Sequence, residues 1–250
     1  VFPYRDENKT LRTPLATLAL IALNVAAWVF VQGAGSEHTL AASVCNLGLI
    51  PGELTLLARP GAGFPLGHGV ACLVDPGRAP EHLLTSMFLH GSWAHLLGNM
   101  WFLWVFGNNV EDSMGRFRFV VFYLLCGLAA AGAQVAMAPA SIYPMVGASG
   151  AISGVMGAYL VLYPRVRVFT LVPLGIFLTT IALPAWAMLG YWLVLQLLGS
   201  FGGVSSGVAF WAHLGGFVVG AVLIKLFSRD DYVAAHRATR WRPRRLGLSG

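Results

Sequence analysis

Charge is scarce in this chain. Asp, Glu, Lys and Arg make up 10% of its 250 residues, whereas an average soluble domain carries about 25%. With 57% of residues hydrophobic, one water-soluble core of this size could not hide the apolar surface, so the solvent must be lipid. Sustained polar–apolar alternation is also missing, which excludes a transmembrane β-barrel. There are ten acidic residues, and none falls in the outer half of an apolar segment. That excludes an aspartyl intramembrane protease, which needs two buried Asp, and leaves only the acids of the long loop, which nothing places at the site, to complete a triad. The string H-E-x-x-H of the zinc metalloproteases is absent. Cysteine is limited to three residues. Cys126 reads as a small apolar filler. Cys45 and Cys72 share one long loop, where oxidising conditions would permit a bridge that spacing alone does not establish.

What is present is a series of apolar runs, at about 13–32, 88–110, 117–137, 149–163, 174–199 and 207–227. They predict an all-α, polytopic membrane protein of six spans. The basic residues mark alternate connections. Arg5, Lys9 and Arg12 precede the first run, Arg116 and Arg118 follow the second, and Arg165 and Arg167 follow the fourth. The segments 138–148 and 200–206 carry none. The positive-inside rule then places both termini in the cytoplasm and the loops 34–87, 138–148 and 200–206 outside. The expected organisation is a cytoplasmic segment 1–12, a membrane domain 13–228, and a basic cytoplasmic tail 229–250. The setting that fits best is a bacterial inner membrane. The tail's charge suits anionic lipid rather than nucleic acid. The first run is too long for a signal peptide, lacks a small-residue cleavage site and is expected to remain as a span. The loop 34–87 is rich in Gly and Pro yet apolar, so it is expected to pack on the helices or dip into the outer leaflet. Pro184, near the middle of the fifth run, predicts a kink and makes that span the candidate substrate gate.

Polar residues interrupt three of these runs. "HGSWAHLLGNM" carries His90, His95 and Asn99, and the last two share a helix face. "GASGAISG" carries Gly147 and Ser149, and "AHLGG" carries His213 and Gly216. Small residues at such sites often serve only helix packing. Here Gly150, Gly154 and Gly157 form one stripe, while Gly216 and Gly220 continue a stripe from His213. Docking the two stripes brings Ser149 and His213 to the same interface. All three runs enter from the same side, so their polar groups agree in depth. Intramembrane polar groups are costly and suggest function. A Ser–His dyad follows, with Ser149 as nucleophile and His213 as base. His95, Asn99 and the Ser149 amide stand as oxyanion donors. A metal site from His90, His95 and His213 lacks any Cys or carboxylate ligand, so no metal or cofactor is expected. Glu111 and Asp112 are expected to pair with Arg116 or Arg118.

Taken in order, "HGSWAHLLGNM", "GASG" and "AHLGG" resemble the rhomboid intramembrane serine proteases, and "GNNVED" and "GRFRF" extend the likeness. The resemblance implies a six-helix bundle with a lipid-embedded first loop. It implies catalysis by Ser149 and His213, with His95 and Asn99 in the oxyanion hole and His90, Gly147 and Gly216 in support. The implied substrates are single-span membrane proteins cut near the outer face. Ser153 stands where a Tyr or Phe often packs on the catalytic His, which leaves the support of His213 open. Two other functions compete. One is an idle rhomboid-like protein that binds membrane clients, which typically lacks the Ser or the His. The other is a small-solute transporter, for which inverted halves with midplane charges are missing.

Overall fold

The computed structural model describes residues 2–67, 70–174, 177–200 and 209–240. The expected loop residues 201–206, the expected start of the last run at 207, and the basic stretch 241–250 lie outside them. Strand β1 (Phe2–Asp6) leads into helix α1 (Leu15–Ala26), which continues as a π-helical turn to Val31. The long loop is not featureless. It contains α2 (Glu37–Leu47), α3 (Pro51–Thr55), a hairpin of β2 (Gly63–Gly67) and β3 (Val70–Leu73), and α4 (His82–Thr85). A Cys45–Cys72 disulfide joins α2 to β3. The rest comprises α5 (Trp93–Met114), α6 (Arg116–Met137), α7 (Ser149–Leu162), the strands β4 (Arg167–Leu174) and β5 (Phe177–Pro184), α8 (Ala185–Ser200), α9 (Phe210–Phe227) and α10 (Asp230–Arg240). Among the described residues, α6 and α9 are long and apolar enough to cross a membrane by length and composition.

The all-α expectation needs correction. β1, β4 and β5 form an antiparallel sheet, with Phe2 opposite Leu171 and Arg167 opposite Pro184. The fifth apolar run therefore divides. Its first part is strand, and the helix begins at Ala185. Pro184 ends β5 and precedes the helix, so it kinks nothing. The uncharged stretch from Val168 reads as a span by hydropathy, but its Val, Ile, Thr and Phe content suits paired strands. Both terminal segments carry structure among the described residues. β1 is part of the sheet, and α10 docks through His236. The His236 Nε2–H donates to the Lys9 carbonyl at 2.9 Å, and Nδ1 meets the Tyr163 hydroxyl at 2.7 Å.

Helix ends explain two acids. Glu111, on α5, accepts from the Ala16 and Thr17 N–H groups at 3.1 and 2.8 Å and so caps the start of α1. Asp112 accepts from the N–H groups of Leu11 and Arg12. Neither pairs with Arg116 or Arg118 as expected, because the first amides of α1 hold Glu111 and the amides of the segment just before α1 hold Asp112. At the other end of α5, Ser92 accepts from the His95 N–H at 3.1 Å, a standard N-cap. Gly115, at φ +85°, turns the chain directly from α5 into α6.

The centre of the bundle is a glycine seam between α7 and α9. A Cβ on Gly216 would lie 2.1 Å from the Gly150 carbonyl oxygen, and one on Gly220 would lie 2.0 Å from that of Gly154. A Cβ on Gly157 would lie 2.1 Å from the Phe217 oxygen. The two backbones are in direct contact, as the paired stripes predict. Helix α6 closes the third side, where Ala130 and Cys126 face Gly150 and Gly154.

Candidate active site

Three helices bring their N-terminal turns to one end of the bundle. Ser149 opens α7, His95 lies in the first turn of α5, and His213 lies in the first turn of α9. The tight α7–α9 seam fixes the distance between the first and last of these. His213 Nε2 sits 2.7 Å from Ser149 Oγ. Both line a cavity of about 280 Å³ together with His95, Gly147 and Gly150. The Ser149 N–H belongs to the first turn of α7 and so lacks an intrahelical acceptor.

His95 reaches the same place by a different route. Its Nδ1 accepts from the Gly91 N–H at 3.3 Å, which leaves the proton of the neutral ring on Nε2. That nitrogen lies against Gly147, where an added Cβ would approach it to 2.9 Å. Gly147 also adopts φ +133°, which an L side chain resists, so glycine is required twice over. Its N–H donates to the Ser86 carbonyl at 2.9 Å, anchoring the approach to Ser149. Asn99, one turn beyond His95, is buried with its Nδ2 unpartnered, but it does not line the cavity. His90 is fully buried with its ring edge-on to His95 at 5.1 Å. Gly216 acts through the seam, not through the cavity.

The structure adds residues that the sequence reading missed. Gln32 exchanges two 2.8 Å hydrogen bonds with the His90 backbone and so holds the strand-like approach to α5. Gln196, on α8, lies 2.7 Å from His213 Nδ1, and the Trp192 ring lies 6.0 Å from that of His213. A single carboxamide among the apolar residues of "YWLVLQLLGS" is a visible signal in the sequence, although it carries no charge. Ser153 does not support His213. It is buried and donates to the Ser149 carbonyl at 2.6 Å. The ring's aromatic neighbour comes from α8 instead.

The long loop forms one rim of the cavity. Leu49 and Met145 exchange a pair of backbone hydrogen bonds at 3.0 and 2.8 Å. Thr55 donates to the Pro139 carbonyl, and the Gly52 N–H donates to the Ser141 carbonyl at 2.8 Å. Within the loop, buried Glu53 accepts from the Asp75 N–H at 2.9 Å. Burial, with the nearby Asp75 charge, pushes its carboxyl above the ordinary range against the opposing pull of that hydrogen bond and of His82. Among the described residues, no cluster of His, Cys, Asp or Glu could hold a metal ion.

Comparison with known proteins identifies the family. The Rhomboid domain family matches residues 79–230, which contain all the cavity's polar side chains discussed above. The chain is 44% identical over 78 residues to the rhomboid protease GluP of Bacillus subtilis, covering 31% of this chain and 15% of that protein. It is 32% identical over 152 residues to the chloroplastic rhomboid-like protein 11 of Arabidopsis thaliana, covering 58% and 52%. It is 31% identical over 172 residues to the mitochondrial rhomboid protein 1 of Saccharomyces cerevisiae, covering 64% and 46%. The chain thus spans about half the length, or less, of these relatives. The family match covers more than half of the chain, and the chain belongs to the rhomboid family, a polytopic membrane fold.

Proposed function

We propose that this protein is an intramembrane serine endopeptidase that cuts single-span membrane proteins with a Ser149–His213 dyad. The observation that carries the reading is the 2.7 Å contact between His213 Nε2 and Ser149 Oγ in a cavity that His95 also lines. In this reading His213 takes the Ser149 proton as the hydroxyl oxygen attacks the scissile carbonyl. The negative charge that develops on the carbonyl oxygen meets the His95 Nε2–H and the Ser149 N–H, and the unpartnered Asn99 amide, one turn beyond His95, is the third donor once a substrate carbonyl is bound. His213 then returns the proton to the leaving amine. Six membrane-crossing segments, both termini in the cytoplasm and the cavity at the outer face complete the picture. The bacterial inner membrane remains the proposed setting, with lipid as the protein's solvent. Exposed Leu57 and Leu73 fit an outer loop that touches lipid.

Cleavage of a single-span substrate in proteoliposomes tests the reading. Ser149→Ala and His213→Ala should each abolish cleavage while the protein stays folded. The double variant should be little worse than either single, because the two act as one unit. Strictly multiplicative losses would argue for separate roles.

A further inference from the structure

The proton-transfer steps described above leave one contact of His213 unused. Its Nδ1 lies 2.7 Å from Gln196 Oε1 on α8. A carboxamide oxygen only accepts hydrogen bonds, so the proton of the neutral imidazole sits on Nδ1. Nε2 then keeps the lone pair that the Ser149 hydroxyl needs. Trp192, one turn earlier on α8, lies against both His213 and Phe217, with ring centroids 6.0 Å apart in each case. Every other residue from Trp192 to Leu198 is apolar. A lone carboxamide in such a stretch is costly unless it is hydrogen-bonded, and here it is bonded to the proposed base.

We propose that Gln196 is a positioning residue that fixes the tautomer and orientation of His213 and so takes the place of a triad carboxylate. The proposal rests on the Ser–His reading and extends it to a third side chain. During attack the Ser149 proton moves to Nε2, while the Nδ1 proton stays in place and continues to be donated to Gln196. The carboxamide takes no proton and carries no charge. It therefore orients the imidazolium and stabilises it less than a carboxylate would. Because Gln196 rides on α8, the placement of that helix against α9 sets whether the base is ready. The titratable groups that line the cavity with His213 are His95 and Tyr143.

The test is the rate of inactivation by a fluorophosphonate as a function of pH, on the full chain in detergent micelles, with unfolding measured alongside. Gln196→Met keeps the length and removes the acceptor. It should slow inactivation about tenfold, the worth of one hydrogen bond, without weakening reagent binding. Gln196→Glu should restore the rate and move the ascending limb of the pH–rate profile to higher pH, since a carboxylate favours the imidazolium. A glutamine whose side chain does not reach His213 Nδ1 would leave that limb in place. Wild-type rates and profiles in both variants would overturn the proposal and leave the Ser–His reading intact. Absence of any wild-type labelling at Ser149 would overturn both. If Gln196→Met fails to fold, the Gln196→Glu profile decides: a shifted limb supports the role and an unshifted one refutes it.

Discussion

Gly216→Ala offers a sharp test of how the fold builds the site. The added Cβ would lie 2.1 Å from the Gly150 carbonyl oxygen. A carbon and a carbonyl oxygen come no closer than about 3.3 Å, so α9 must retreat from α7 by about 1.2 Å. Neither atom can rotate away, because one is backbone and the other is fixed to it. Overpacking of this kind typically costs about 1–3 kcal/mol. The larger effect is on chemistry. Gly150 directly follows Ser149, and Gly216 is three residues beyond His213, so the retreat falls on the 2.7 Å Ser149–His213 contact itself. A misplacement of about 1 Å can cost on the order of 10²-fold in rate. Gly190→Ala on α8 is the control, since a Cβ there meets nothing within 4 Å. It should gain about 1 kcal/mol from helix propensity and keep its activity. Both variants are assayed by fluorophosphonate inactivation rate and by reversible unfolding in mixed micelles. A Gly216→Ala protein with wild-type rate and stability would refute the claim that the glycine seam sets the distance between the two side chains.

Two other expectations follow from individual side chains. Asn99→Ala should slow turnover by about 10²–10³-fold, the usual loss for one oxyanion donor; steady-state cleavage at unchanged stability checks it, and an undiminished kcat removes Asn99 from the site. Glu53 holds its proton to higher pH in the folded protein than in the unfolded chain, because its folded carboxyl lies above the ordinary 4.5. The folded state therefore binds more protons in that window, and loop stability should fall as pH rises from about 4.5 through the folded value, then level off. Protection of the Asp75 N–H in hydrogen exchange should follow that slope, and Glu53→Gln should abolish it; a slope that survives the substitution assigns the effect elsewhere.

The parts of the site legible in the sequence were those encoded by spacing. Gly150, Gly154 and Gly157 against Gly216 and Gly220 already imply two helices in backbone contact, and the structure places His213 and Ser149 at the same end of that seam. His95 and Asn99, four residues apart, share a face for the same reason. What was not legible depends on partners remote in sequence. Glu111 looked like an ion-pair acid, but its partners are the free amides of α1, which only the packing of α1 against α5 reveals. The fifth apolar run reads as one helix because hydropathy does not distinguish an apolar strand from a span. Val168, Val172 and Ile181 were the β-branched signal that a strand pair precedes Ala185. Gln196 escaped because a neutral carboxamide has no charge to draw attention. Its contact with His213 depends on how α8 meets α9.

The central claim is that Ser149 is a nucleophile activated by His213. The most direct measurement is mass-spectrometric localisation of a fluorophosphonate adduct on the wild-type protein, with Ser149→Ala and His213→Ala treated in parallel. The account predicts a single adduct on Ser149, none on the Ser149→Ala protein, and labelling slowed by orders of magnitude in His213→Ala. Equal labelling of wild type and Ser149→Ala, or an adduct on Ser153, would contradict it.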